Sequence, residues 1–304
     1  MFFGITALVF VGLTWTFIGI VMSSAPRHGL KTGLVQLAGA ALAILFSLGV
    51  LPFLPGSHVP DGEELLFCGL LVLAGGLNGA GLEWMAQAMK HGPNGLIWAL
   101  VQSALIVPFL AGVVFFGSEL NGTRIAGIVL LVAGILVLGW RQDRRHPAAG
   151  RWRGPTFLAF IASGIVLTLN NLPSYFRVAE EISSVMRTLC VYLGTLIAAT
   201  AISVADIGWN ELARVCRSHF ASRRFNVYVL TLQGFGLGTG YFLIYPAMDA
   251  LARAGSGAIA CPLMIGSCII GFNFYSMFVL REKWSAGAFA ATLICIAGAA
   301  LTCW

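Results

Sequence analysis

The side chains best placed for chemistry inside a membrane lie in an apolar stretch from Leu71 to Lys90. The stretch is long enough to cross a bilayer, yet it carries Asn78, Glu83 and Gln87. A carboxylate within such a span costs roughly 2.5–3.5 kcal/mol on insertion scales, so it usually faces a cavity or a partner. The pattern predicts a helix that lines the path of a solute. Glu83 is either a proton-coupling acid or solute ligand, or a group that reaches the interface or is neutralised by protonation.

Amide and aromatic side chains in other apolar stretches are candidate ligands of a polar solute. Trp98 and Gln102 share one helix face at i, i+4 spacing. Asn170 and Asn171 lie just before a proline, which frees a backbone carbonyl that either amide can bind. Rings beside amides suit a sugar, with its apolar faces and hydroxyl edges, and would equally hold a cation; packing is the alternative for each. The candidate set for solute binding is Trp15, Asn78, Trp98, Gln102, Asn170, Asn171, Gln233, Tyr241, Tyr245 and Asn273.

Composition places these residues in an integral membrane protein. Hydrophobic residues make up 58% of the 304 residues and charged residues only 10%, and the mean hydropathy is +0.88. A soluble domain would be about a quarter charged. The net charge is +6, but the basic residues lie in connections between apolar runs, so nucleic acid is not expected as a partner. The predicted fold class is an all-α membrane protein.

Ten apolar segments are predicted to be transmembrane helices, because each has roughly the 20 residues that a bilayer requires. The first has no basic region before it and is too long for a typical signal peptide, so it is retained as a helix. The connection at 206–224 combines apolar and basic residues at helical spacing, which predicts a short interfacial helix. The spans are 2–22, 32–54, 65–90, 94–117, 123–140, 155–176, 183–204, 227–249, 256–280 and 285–304.

The basic residues predict the orientation of these spans. Fourteen of the 18 Lys and Arg residues lie in the connections that follow odd-numbered spans. The second connection, 55–64, contains three acidic residues and no basic residue. By the positive-inside rule, the odd connections are cytoplasmic. Both termini are therefore expected on the outer side of the cell (inner) membrane.

The chain divides into two similar halves, 1–150 and 151–304, at the basic connection that follows the fifth span. Residues 74–90 align with 233–249, with glycines and an Ala-Met pair in common, and the closing segments of the two halves also match. Each half has five spans, an odd number, so the second half must enter the membrane inverted. Two inverted five-helix repeats are a recurrent transporter design, with the substrate site between the repeats near the midplane.

Features of an enzyme or a metalloprotein are absent from the sequence. The seven cysteines show no C-x-x-C spacing, and all five histidines fall in or beside connections. Neither a metal site nor a disulfide framework is predicted, and no cofactor is expected. The sequence also has no G-x-S-x-G elbow and no P-loop, which argues against a membrane enzyme and against ATP-driven pumping.

Two motifs resemble those of the drug/metabolite transporter superfamily, in its EamA-like ten-helix form. The first comprises residues 88–95 and Gly117–Glu119, and the second comprises residues 250–257 and 280–282. The resemblance covers essentially the whole chain and implies alternating access, with proton coupling in many members. Residues 279–287 and the short N-terminus are more similar to the rhamnose and glucose uptake branch, in which outer termini are expected.

The combined expectation is a secondary active transporter, not an enzyme, that moves a small polar solute such as a sugar or related metabolite. Proton symport is one option for its energy source. The alternative is an exporter of amino acids, drugs or amphipathic metabolites with the same fold, and a membrane enzyme is a remote alternative. The expected partners are the solute, the lipid bilayer and a proton or other coupling ion, and a homodimer is left open.

Overall fold

The computed structural model describes residues 2–53, 60–116, 121–143, 150–176, 181–239, 243–281 and 286–301. These residues form helices joined by turns, and no strand occurs among them. The helices are α1 (Phe2–Ser24), α2 (Thr32–Val50), α3 (Gly62–His91), α4 (Asn94–Gln102), α5 (Ile106–Phe116), α6 (Gly122–Asp143), α7 (Arg153–Asn171), α8 (Ser184–Ile207), α9 (Trp209–Phe220), α10 (Arg223–Thr239), α11 (Tyr245–Arg253), α12 (Ala260–Phe278) and α13 (Ala286–Leu301).

Six helical segments in the described part of the chain are long and apolar enough to cross a membrane. They correspond to the first four predicted spans and to the sixth and seventh. The other predicted spans hold α6, α10 with α11, α12 and α13, whose described parts are shorter or less apolar. The protein is therefore a multi-pass, all-α membrane protein. The six segments are Phe2–His28, Thr32–Phe53, Gly62–His91, Asn94–Phe116, Arg153–Tyr175 and Ser184–Ile207.

The exterior of the helix bundle is apolar, as contact with lipid requires. Large hydrophobic side chains such as Phe10, Leu45, Phe115, Phe157 and Ile197 are exposed on α1, α2, α5, α7 and α8. A soluble monomer rarely presents such extensive apolar surface. The segment that follows α8 differs, because α9 is short and carries both polar and apolar residues with none fully buried. Its position agrees with the interfacial helix predicted at 206–224.

Helices from the first and second halves of the chain pack against one another. The helix α3 packs against α7 and α8, while α10 packs against α1 and α2. Further contacts join α1 to α12, α4 and α5 to α7, α2 to α8, and α6 to α13. Each of the helices named here therefore contacts at least one helix from the other half of the chain.

Glycines allow α3 and α8 to cross at very short distance. A Cβ atom added to Gly75 would overlap the Val191 carbonyl oxygen, and one added to Gly194 would overlap the Val72 carbonyl oxygen. The Thr195 hydroxyl donates a hydrogen bond to the Gly75 carbonyl oxygen at 3.1 Å, which ties the two backbones together. Small residues that permit close approach are typical of helix contacts in membranes, where no hydrophobic force drives association.

We expect Gly75→Ala to destabilise the protein by about 1–3 kcal/mol, because the new methyl group cannot be accommodated at the crossing without a backbone shift. Gly69→Ala in the same helix is the matched control, since a Cβ atom there would meet nothing within 4 Å. Thermal unfolding of the purified variants in detergent measures the difference. Equal melting temperatures for the two variants would contradict this account of the crossing.

Candidate functional site

A cavity of about 170 Å³, here called the central cavity, lies between the two halves of the chain. It is lined by α1, α3 and α4 from the first half and by α7, α8 and α11, with the turn preceding α11, from the second. The lining residues are far apart in the sequence, since they come from helices between the first and the eleventh. The structure nevertheless brings six of the predicted site residues together around this space: Trp15, Asn78, Trp98, Gln102, Asn170 and Tyr245.

The lining of the central cavity is uncharged and mainly apolar, with a few amide and hydroxyl groups. None of the described residues that line it is Asp, Glu, Lys, Arg or His. The Asn170 Oδ1 atom is buried and has no hydrogen-bond partner among the described residues. It can therefore accept a hydrogen bond from a solute or a water. Gln102 is held by a contact from its Nε2 to the Cys268 sulfur at 3.5 Å. The Trp98 ring packs on Phe272 with a centroid separation of 4.9 Å.

Three predicted site residues are buried away from this cavity. The Asn171 Nδ2 donates to the Tyr175 hydroxyl at 3.3 Å, which stabilises the turn after α7. The Asn273 Nδ2 donates to Thr292 Oγ1 at 3.3 Å. Gln233 packs against Gly39 of α2. Tyr241 lies outside the described residues, as do Glu119 and Glu282 of the two sequence motifs.

Glu83 also lies outside the central cavity. It faces a second, larger recess of about 950 Å³, here called the basic vestibule. The Thr32 hydroxyl donates to Glu83 Oε2 at 2.5 Å, and the Gln87 amide reaches Oε1 at 3.4 Å. Glu83 therefore faces the vestibule and not the space lined by the six candidates above. Its roles as a solute ligand and as a proton-coupling acid both stay predictions.

The basic vestibule is formed where several helices begin or end. Its lining comes from the turn between α1 and α2, the last turns of α3, the start of α7 and the end of α8. Lys31, Lys90 and Arg151 supply positive charge, and Asp206 and Glu83 supply negative charge. Every one of these elements follows an odd-numbered predicted span or adjoins such a connection. The basic connections thus converge on one end of the bundle.

The sequence interpretation missed a buried ion pair next to the central cavity. The Arg187 Nη1 atom lies 3.2 Å from Asp249 Oδ1, and its Nε donates to the Ile182 carbonyl oxygen at 3.1 Å. The Ser174 hydroxyl donates to the same carboxylate oxygen at 2.8 Å. The guanidinium also lies 5.5 Å from the centroid of the Tyr245 ring, which lines the cavity. The sequence did contain a signal for this pair, because Arg187 lies within the seventh predicted span and Asp249 lies at the end of the eighth.

Comparisons with known proteins find a similar fold and identify no family. No family model matches the chain, and no curated protein matches it. A solved structure described only as "Crystal structure of protein" aligns over 98% of this chain and 95% of its own length. The TM-score is 0.63 and the sequence identity is 17%. The whole chain therefore adopts a fold similar to that of a solved protein.

The adjacent residues Asn170 and Asn171 should respond oppositely to the same substitution. We expect Asn170→Leu to leave stability unchanged or higher, because it removes a buried acceptor that has no protein partner. We expect Asn171→Leu to destabilise by about 1–3 kcal/mol, because it deprives the Tyr175 hydroxyl of its partner. Thermal unfolding without added solute compares the two variants directly. Greater destabilisation by Asn170→Leu would show that its amide is already satisfied.

Proposed function

We propose that the protein is a secondary active transporter that moves a small, uncharged polar solute, a sugar or related metabolite, by alternating access. The observation that carries this proposal is the central cavity, in which amides and aromatic rings from both halves of the chain, together with aliphatic side chains, line a space with no charged group among the described residues. Hydroxyl groups of a solute can bond to the amides, while its apolar ring faces pack on Trp15 and Trp98. Transporter sites occupy this same location between repeats.

Cavity size and charge favour a sugar over the solutes of the alternative exporters. The cavity, at about 170 Å³, is smaller than the roughly 300–1,000 Å³ of sites for drug-sized ligands. An amino acid carries charged amino and carboxylate groups, which a desolvated site has to pair with opposite charge, whereas an organic cation can instead lie over an aromatic ring. The described lining offers aliphatic and aromatic surface with a few uncharged hydrogen-bonding groups, and no charged side chain. These groups favour an uncharged solute over an amino acid, and the solute screen below decides between a sugar and an organic cation held over a ring.

Helix packing supports two inverted five-span repeats as the basis of this transport. In that arrangement each helix of the first half has a counterpart in the second half: α1 pairs with α7, α2 with α8, α3 with α10–α11, α4–α5 with α12, and α6 with α13. Exchanging the halves converts the contact of α3 with α8 into that of α10 with α2, and the contact of α1 with α12 into that of α7 with α4–α5. The contacts α2–α8 and α6–α13 convert into themselves. Packing of this kind is expected for ten spans related by a two-fold axis in the membrane plane.

The proposed family is the drug/metabolite transporter superfamily, with the sugar-uptake branch as the favoured assignment. Its support is the pair of sequence motifs together with the repeat-like packing. The proposed location is the cell (inner) membrane, with the basic vestibule on the cytoplasmic side and both termini outside. Lys31, Lys90 and Arg151 at one end of the bundle support that orientation.

A thermal-stability screen of the purified protein tests the solute class. We expect sugars to raise the melting temperature and expect no response to amino acids or quaternary amines. A sugar present at 100 times its own dissociation constant would stabilise the folded protein by about 2.7 kcal/mol. Asn170→Leu should abolish the sugar response because it removes the free acceptor. Asn171→Leu is the matched control that should retain it, since Asn171 bonds to Tyr175 outside the cavity.

A response to amino acids or hydrophobic cations, with none to any sugar, would overturn the proposed solute class. The two asparagine variants separate a specific effect from general stabilisation, because they differ by one position and carry the same new side chain.

Glu83→Gln tests proton coupling. Glutamine keeps the shape of the side chain and an oxygen that can accept from Thr32, but it has no proton to release. In proteoliposomes we expect solute exchange to persist in this variant, whereas uptake driven by a pH gradient falls to the level without a gradient. Glu63→Gln is the control on the same helix, because Glu63 is exposed in the first turn of α3. Unchanged gradient-driven uptake by Glu83→Gln would exclude the coupling role.

A further inference from the structure

The ion pair between Arg187 and Asp249 lies beside the central cavity at the first turn of α8, and the last turns of the same helix line the basic vestibule. We infer that Arg187, Asp249 and Ser174 form the gate that closes the central cavity on the side opposite the vestibule, and that the described conformation is the one with this gate shut. The inference rests on the proposed transport function and adds the residues that control access to its site.

The gate residues come from three separate parts of the second half of the chain. Ser174 lies in the turn after α7, Arg187 lies in the first turn of α8, and Asp249 lies in α11. One carboxylate oxygen of Asp249 accepts both the Arg187 guanidinium and the Ser174 hydroxyl, at 3.2 Å and 2.8 Å. These bonds hold the ends of three helices together and leave Arg187 only 1% exposed.

Two neighbours of the gate are themselves part of the cavity lining. Thr188 follows Arg187 directly, and Tyr245 lies one helical turn before Asp249 on α11. The guanidinium lies over the Tyr245 ring at 5.5 Å, so the ring separates the ion pair from the cavity. Separation of α8 from α11 at this point would expose both lining residues. Opening the gate thus opens the cavity.

The opposite end of the bundle has the reverse character. There, Lys31 pairs with Asp206 at 2.9 Å, but their side chains are 41% and 58% exposed and the surrounding recess holds about 950 Å³. Solvent screens a pair of this kind strongly, so it exerts little hold on the helices. The Arg187–Asp249 pair is more shielded, with side chains 1% and 18% exposed, and it resists separation more because a charge left in the interior is costly. The ion pair beside the cavity is thus shielded and the pair at the vestibule is exposed, and in an alternating-access transporter we expect one end to be closed in any single state.

A cysteine accessibility experiment tests the gate without requiring transport. In a variant with all seven native cysteines replaced by alanine, Thr188→Cys reports access to the cavity and Ala205→Cys reports access to the vestibule. Sealed vesicles of either orientation are treated with a membrane-impermeant maleimide. With the gate intact, we expect Thr188→Cys to react slowly from the side opposite the vestibule.

We expect Asp249→Asn to raise the rate of that labelling roughly tenfold, since the open state of a two-state protein is often populated at about 0.1–10% before such a change. Ser174→Ala keeps both charges and should give a smaller increase. The charge exchange R187D with D249R should return the rate toward the original value. Asp206→Asn at the vestibule is the matched control and should leave labelling from this side unchanged.

Unchanged labelling of Thr188→Cys in a folded Asp249→Asn variant would overturn the gate, and so would an increase that the charge exchange fails to reverse. If Asp249→Asn does not purify as a monodisperse protein, Ser174→Ala alone decides the matter in the same assay. Labelling of Ala205→Cys provides the separate test of the transport mechanism. If Thr188→Cys becomes accessible while Ala205→Cys stays equally accessible, the gate stands and alternating access is contradicted.

Discussion

The glycine-mediated crossing of α3 and α8 at Gly75 and Gly194 joins two helices that both line the central cavity and the basic vestibule. Both helices run from the end of the bundle that holds the buried ion pair to the end that holds the basic vestibule. Each contributes to the central cavity on one side of the crossing and to the vestibule farther along. Because the backbones touch where no side chain intervenes, the crossing fixes the separation of these helices while leaving their ends free to move apart.

The two ends of the helix bundle carry ion pairs that differ in exposure, Arg187–Asp249 at one end and Lys31–Asp206 at the other. We expect these pairs to resist separation of the helices unequally. Removing one partner of a buried pair such as Arg187–Asp249 costs about 3–5 kcal/mol, whereas an exposed pair contributes at most about 1 kcal/mol. The difference is comparable with the few kcal/mol that separate two conformations of a protein. A solute that binds in a neutral cavity cannot itself compensate these charges. In the proposed transporter, the groups that we infer to control access therefore lie outside the solute's own site.

The sequence predicted the helical membrane class because hydrophobicity and span length are read directly from composition. It also identified six residues that line one cavity, since an amide or a ring deep in an apolar span needs a partner away from lipid. It could not distinguish Asn170 from Asn171, because one residue along a helix is about a 100° rotation. It missed Arg187 and Asp249 because each lies near a predicted span end, where charges are ordinary, and their pairing depends on the packing of α8 against α11.

Helix geometry explains why Glu83 is separated from the cavity that Asn78 lines. Five residues along an α-helix correspond to a rotation of about 140°, so side chains at these positions face different neighbours. Asn78, Leu82 and Met85 line the cavity, while Glu83 and Gln87 follow the adjacent face into the vestibule. The same rotation keeps the Glu83 carboxylate out of the uncharged central cavity. A proton taken up at Glu83 would then act on the solute only through the position of α3, whose crossing with α8 links the two spaces.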